Sequence, residues 1–144
     1  MGIIQEEITL RNAIDVGNCK RGLIKEHEIR QKTIKALVDT GAGTLVINDA
    51  IRRELGLEIQ GERRATLAND TKEVCKVTEP VEVHWKNRFT AVSALVVSGD
   101  GMVLLGAIPL EDLDLIVDPA KQELIGAHGD EVLTMLKQAG SSAA

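Results

Sequence analysis

Leu37-Val38-Asp39-Thr40-Gly41-Ala42 decides how this chain is read. An apolar strand runs directly into a carboxylate on a tight, glycine-containing turn. The end of a strand is rigid while the residue after it is open to solvent, so an acid there is held in place and still reaches a substrate. Downstream, Leu45-Val46-Ile47 leads to Asn48 or Asp49 as a helix cap, with Ile51 and Leu55 on one helical face and Gly56 as the stop. Gly41 and Gly43 could also suggest a phosphate cradle, but the lysine and the strand-loop-helix spacing of a nucleotide loop are missing.

Working outward, most of the chain reads as strand. Ile8 and Leu10 alternate with Thr9 and Arg11, and Ile34, Ala36 and Val38 alternate with Lys35 and Leu37; Gly17-Asn18 supplies turn chemistry between the two segments. The clearest period of two puts Cys75, Val77, Val81, Val83 and Trp85 on one face and Lys76, Thr78, Glu82, His84 and Lys86 on the other, with Pro80 at an edge or bulge. Arg64 to Ala68 is expected to pair with this strand through Asn69-Asp70, and Lys86-Asn87 to turn back into Phe89 to Val97. A loop at Ser98 to Gly101 precedes an apolar strand, Met102 to Leu105, which ends at Gly106 and runs into a short helix with Pro109 in its first turn. Leu115 to Val117 and Glu123 to Ile125 read as strands around Asp118-Pro119, and Val132, Leu133 and Leu136 give a closing helix from Asp130 to Lys137. The expected fold is a mainly β, closed barrel with two or three short helices. Residues 1–138 form its single domain, and 139–144 are a flexible tail.

Composition limits the partners. A chain of 144 residues with plentiful aliphatics supports one apolar core, and Trp85 and Phe89, its only aromatics, read as core or hairpin packing. A formal charge of -5 argues against nucleic acid as the main partner, although Lys20, Arg21, Lys25, Arg30, Lys32 and Lys35 form a basic stretch, read as a solvated hairpin rim. No apolar run approaches the roughly 20 residues of a membrane helix, and the first residues lack the basic start of a signal peptide, so a soluble, cytoplasmic protein is expected. Cys19 reads as a loop thiol and Cys75 as a strand hydrophobe; with His27, His84 and His128 they show no metal spacing and no cysteine-hydrolase context.

Together, Val38-Asp39-Thr40-Gly41-Ala42, the hairpin at Asn69-Asp70, and Val103-Leu104-Leu105-Gly106 before a short helix resemble the retropepsin-like aspartic proteases, in particular their small single-domain prokaryotic members. The likeness runs from about Ile34 to Ile125. It implies an aspartic endopeptidase that cleaves a peptide or protein substrate with neither metal nor cofactor. Two carboxylates are needed side by side and the chain has one Asp-Thr-Gly, so the resemblance implies a homodimer with Asp39 of each copy at its axis.

By the same resemblance Asp39, Thr40 and Gly41 form the catalytic turn. Ala42, Gly43 and the flap residues Leu67, Ala68, Asn69, Asp70 and Thr71 contact substrate, and Leu105 and Gly106 pack behind the site. The retroviral enzymes usually carry an Asp two positions after the motif's glycine and an Arg directly after the second glycine; here these are Gly43 and Ala107. Ala42 stands where the pepsin-like branch has Ser or Thr, which implies work at less acidic pH than the pepsins. Two other readings keep the fold without the turnover: a dimeric peptide-binding or scaffold module, and a domain that only dimerises.

Overall fold

The computed structural model describes residues 4–66 and 70–129. Alternating side chains build the first long strand, β1 (Gln5–Asn12), whose Ile8 and Leu10 are buried. Helix α1 (Ala13–Lys20) follows without a break, and a 3-10 turn at Glu26–Glu28 leads into β2 (Gln31–Val38). Next come β3 (Leu45–Asn48), α2 (Asp49–Glu54), β4 (Ile59–Thr66), β5 (Lys72–Trp85) and β6 (Arg88–Val97). The remaining elements are β7 (Leu104–Leu105), α3 (Ala107–Asp112), β8 (Leu115–Asp118) and β9 (Glu123–Gly126).

The main sheet has the order β1-β2-β7-β3-β6-β5-β4, and β1 pairs with β5 as well as with β2. It is therefore ring-like: β1, β2, β7, β3, β6 and β5 follow one another around the closure, and β4 hangs on β5 alone. Leu10, Leu45, Ile47, Val81, Val83, Ala94 and Leu105 fill the interior. The pair β8-β9 forms a separate small sheet whose Leu115 and Leu124 join the same core. The mainly β expectation with short helices is met.

Several local expectations are met in register. Asn48 caps α2 by accepting from Ile51 N at 2.9 Å, and Gly56 leaves the helix at φ 63. The β4-β5 and β5-β6 hairpins pair as read, and the register of β5 against β6 shifts between Val77 and Pro80. Trp85 and Cys75 are buried, and burial raises the Cys75 thiol pKa.

Other expectations are corrected. The turn read at Gly17-Asn18 is helix, and Cys19 lies on it rather than in a loop. The cause is Asn12: its side-chain oxygen accepts from Asp15 N at 3.0 Å and starts α1, while its Nδ2 donates to Leu55 O at 2.9 Å, tying α1 to the end of α2. The basic stretch consequently spans a helix, a 3-10 turn and a strand instead of a hairpin rim. The strand read over Met102 to Leu105 keeps only Leu104–Leu105 in its ladder; just before it Val103 O accepts from Leu37 N at 2.8 Å, and Gly101 O accepts from Asn48 Nδ2 at 2.7 Å. Thr78 and Glu82, placed by periodicity on the polar face, are buried. Thr78 fills the bulge with its hydroxyl, which donates to Glu79 O at 2.7 Å and accepts from Ala94 N at 3.1 Å. The closing helix and tail fall outside the described residues, as do Leu67, Ala68 and Asn69 of the flap.

Candidate active site

Asp39 follows the last residue of β2, and its position is set by backbone. Its amide donates to Leu105 O at 3.0 Å, continuing the parallel pairing of β2 with β7 by one residue. Its own carbonyl accepts from Ala42 N at 3.0 Å, closing the turn. Within that turn Gly41 N donates to Asp39 Oδ1 at 3.0 Å. One carboxylate oxygen is thus anchored by the main chain, and no partner for Oδ2 occurs among the described residues. A side chain on Gly41 would crowd this contact, since an added Cβ would lie 3.2 Å from Asp39 Oδ1.

The turn is gripped from behind. Gly106 passes so close that a Cβ there would lie 2.3 Å from Thr44 O and 2.6 Å from Ala42 O. Its backbone is extended, so glycine is required for the close approach and not for conformation. Immediately beyond it α3 begins, and the first amides of a helix have no partner within the helix. Here Ala107 N donates to Ala42 O at 2.8 Å and Ile108 N to Gly43 O at 3.1 Å. Thr44, buried at the far end of the turn, donates from its hydroxyl to Ser93 O at 3.3 Å.

Of the residues singled out by sequence, Asp39, Gly41, Ala42, Gly43, Leu105 and Gly106 are therefore joined in one cluster. Leu105 is completely buried, whereas Thr40 is exposed on the turn with no hydroxyl partner among the described residues. Asp70 and Thr71, both exposed, directly precede β5, and Asp70 takes φ 62. The clamp by Ala107 and Ile108 went unread because it uses main-chain groups. A glycine directly before a helix start was its available sign.

The arrangement presents an acid, anchored through one oxygen, on a turn whose movement is resisted by two strands and a helix start. That is the geometry of a preorganised proton acceptor or donor. Among the described residues no group of three or more His, Cys, Asp or Glu side chains is placed to hold a metal, and no helix is long and apolar enough to cross a membrane.

The family model described as "gag-polyprotein putative aspartyl protease" matches residues 26–112, a span holding the Asp39 turn and Gly106. The chain belongs to this family of retropepsin-like aspartic proteases. Among solved structures it is similar to the EIAV protease complexed with the inhibitor HBY-793, with 26% identity over 56% of this chain and 77% of that one and a TM-score of 0.43. It is also similar to the retroviral protease-like domain of Ddi1 from Leishmania major, with 12% identity over 83% of this chain and 84% of that one and a TM-score of 0.49. Comparison with curated proteins gave no match.

Proposed function

We propose that this chain is an aspartic endopeptidase whose working site assembles when two copies bring their Asp39 turns together on a two-fold axis. The observation that carries the reading is the anchored carboxylate: Gly41 N holds Oδ1, and the turn is pinned by Leu105, Ala107 and Ile108. Two such acids a few ångströms apart share one proton, the established behaviour of aspartic-protease dyads. The ionised member takes a proton from a water molecule whose oxygen attacks the scissile carbonyl carbon. The protonated member gives its proton to the carbonyl oxygen. Collapse of the tetrahedral species breaks the C–N bond as the pair gives its proton to the nitrogen and takes one from a hydroxyl of the intermediate, so it ends singly protonated again.

In this reading Thr40 reaches across to the partner copy and locks the turns, while Gly41, Ala42 and Gly43 meet the substrate backbone. The β4-β5 hairpin, with Leu67, Ala68, Asn69, Asp70 and Thr71 at its connection, closes over an extended peptide and excludes water. Metal, organic cofactor and nucleic acid have no part in it, and the setting is cytoplasmic. The second reading keeps the cleft but not the turnover, as a dimeric peptide-binding module. Gly43 and Ala107 favour it, since they stand where the retroviral enzymes carry a supporting Asp and Arg.

A diverse peptide mixture incubated with purified protein between about pH 4 and 7 separates the two. The endopeptidase reading expects internal cuts that vanish in Asp39→Asn and with a pepstatin-like inhibitor. Intact peptides that nevertheless bind, or equal cutting by the variant, would establish the module or a contaminant instead.

A further inference from the structure

We propose that the chain carries a second recognition site, a groove for a singly charged carboxylate, centred on Arg11 at the end of β2 remote from Asp39. The groove has a volume of about 620 Å³ and is lined by Arg11, Glu26, His27, Ile29 and Gln31. That is ample for a small organic acid or a short extended segment. Ile29 is buried and gives it an apolar floor. Arg11 lies on β1 directly opposite Gln31 of β2, so the cation and the side-chain amide face the groove as cross-strand neighbours.

Arg11 is not held by an ion pair among the described residues. Its Nε is closed to solvent and lacks an acceptor among them. The acid best placed to neutralise it is Glu82, its opposite number on β5, but Glu82 is turned to His84, with Oε1 and Nε2 2.8 Å apart. A desolvated N–H without an acceptor is a standing cost, and Arg binds carboxylates side-on through two parallel N–H bonds. A carboxylate entering the groove, with a small rotation of the guanidinium, supplies the missing acceptor; the Gln31 amide and His27 ring complete the donor set. Glu26 fixes the class further, because its carboxylate on the same wall repels a doubly charged phosphate more than a singly charged acid.

Two cations of the neighbouring basic stretch are, unlike Arg11, already paired. Arg30 is committed to Asp15, with Nε and Nη2 donating at 2.8 and 2.9 Å, and Lys32 to Glu54 at 2.6 Å. Those two cations have carboxylate partners, whereas Arg11 has no ion pair among the described residues. Gln31 opens β2 and Val38 closes it, so the groove stands roughly 23 Å along the strand from the Asp39 turn at the usual rise per residue. It is a separate site, and its existence does not depend on peptide hydrolysis.

The test uses the full-length chain bearing Asp39→Asn, so that loss of proteolysis cannot enter the readout. Backbone amide NMR shifts are followed while three probes are added: N-acetylglutamate amide, a blocked peptide of alternating Glu and Gly, and inorganic phosphate. Saturable shifts confined to Arg11 and to residues 26–31 are expected for the carboxylates, and weaker ones for phosphate. Arg11→Gln should weaken carboxylate binding at least ~10-fold. Gln31→Ala should weaken it less, and Lys121→Gln on the remote β8-β9 connection should leave it unchanged. Tighter binding of the peptide than of the amino-acid probe identifies a protein segment as the source of the carboxylate, and equal binding identifies a free small acid. The proposal is overturned if no carboxylate gives saturable shifts at the groove, if phosphate binds more tightly, or if well-folded Arg11→Gln binds as the parent does.

Discussion

The Asp39 turn and the β4-β5 hairpin lie at opposite extremes of constraint. The turn is bonded to β7 through Leu105 O and to the start of α3 through the carbonyls of Ala42 and Gly43, and Gly106 leaves no space behind it. Strand β4 pairs with β5 alone and is exposed along almost its whole length. Backbone held by several independent partners moves only at the cost of all of them, whereas an exposed arm opens locally at low cost. The acid thus sits on the most restrained part of the chain and β4 on one of the least, the division of labour that the proposed peptidase would need.

The most severe way to probe the fixed side is Asp39→Asn. The amide oxygen can still accept from Gly41 N, so thermal stability should stay close to the parent while kcat/KM on a cleaved peptide falls about 10³-fold or more. A large drop in Tm with proportionate residual activity would mean that the acid serves the fold. Gly106→Ala attacks the clamp instead. Its methyl group would meet the backbone of Thr44 and Ala42, which cannot swing aside, so urea unfolding should show a loss of about 3 kcal/mol. Full stability in that variant would show the turn to be far softer than its contacts imply.

A smaller effect is expected at Asp15, which braces the region between α1 and β2. Hydrogen bonds from the Arg30 side chain hold its carboxyl below the ordinary carboxylate range. A depressed acid stabilises the fold fully above its unfolded value of about 3.9, and that contribution is lost as pH falls through the lower folded value. Because Arg30 is half exposed, Asp15→Asn should cost only about 1–2 kcal/mol at neutral pH. The gap between variant and parent should close in strong acid, as urea midpoints at pH 7 and near pH 2 would reveal. At the loose end, Arg63→Ser with Arg64→Ser on β4 should shift global stability by less than about 0.5 kcal/mol. A loss several times larger would remove the contrast between arm and turn.

What could be read in advance follows from how local the signals are. Period-two alternation located β5, turn chemistry at Lys86-Asn87 located β6, and capping chemistry located α2 at Asn48, because each depends on neighbours in sequence. The Asp39 turn was legible for the same reason, as strand, acid and glycine are contiguous, whereas Leu105 and Gly106 behind it were placed by the family resemblance. Helix α1 was missed because its capping residue, Asn12, also closes a strand and bonds to Leu55, a contact made across the fold. Glu82 was misplaced because periodicity assigns a face but not what covers it. The Arg11 groove left no local trace: its walls come from β1, the 3-10 turn and the start of β2, which only the folded sheet brings together.

The central claim is that the site takes one Asp39 from each of two copies, and subunit mixing tests it most directly. A fixed, low amount of wild-type chain is incubated with increasing Asp39→Asn chain, long enough for subunits to exchange, and peptide cleavage is then measured. The account predicts that activity falls toward zero as inactive mixed dimers take up the wild-type copies. Activity that stays constant at every excess of the variant would contradict it, because each chain would then hold a complete site of its own.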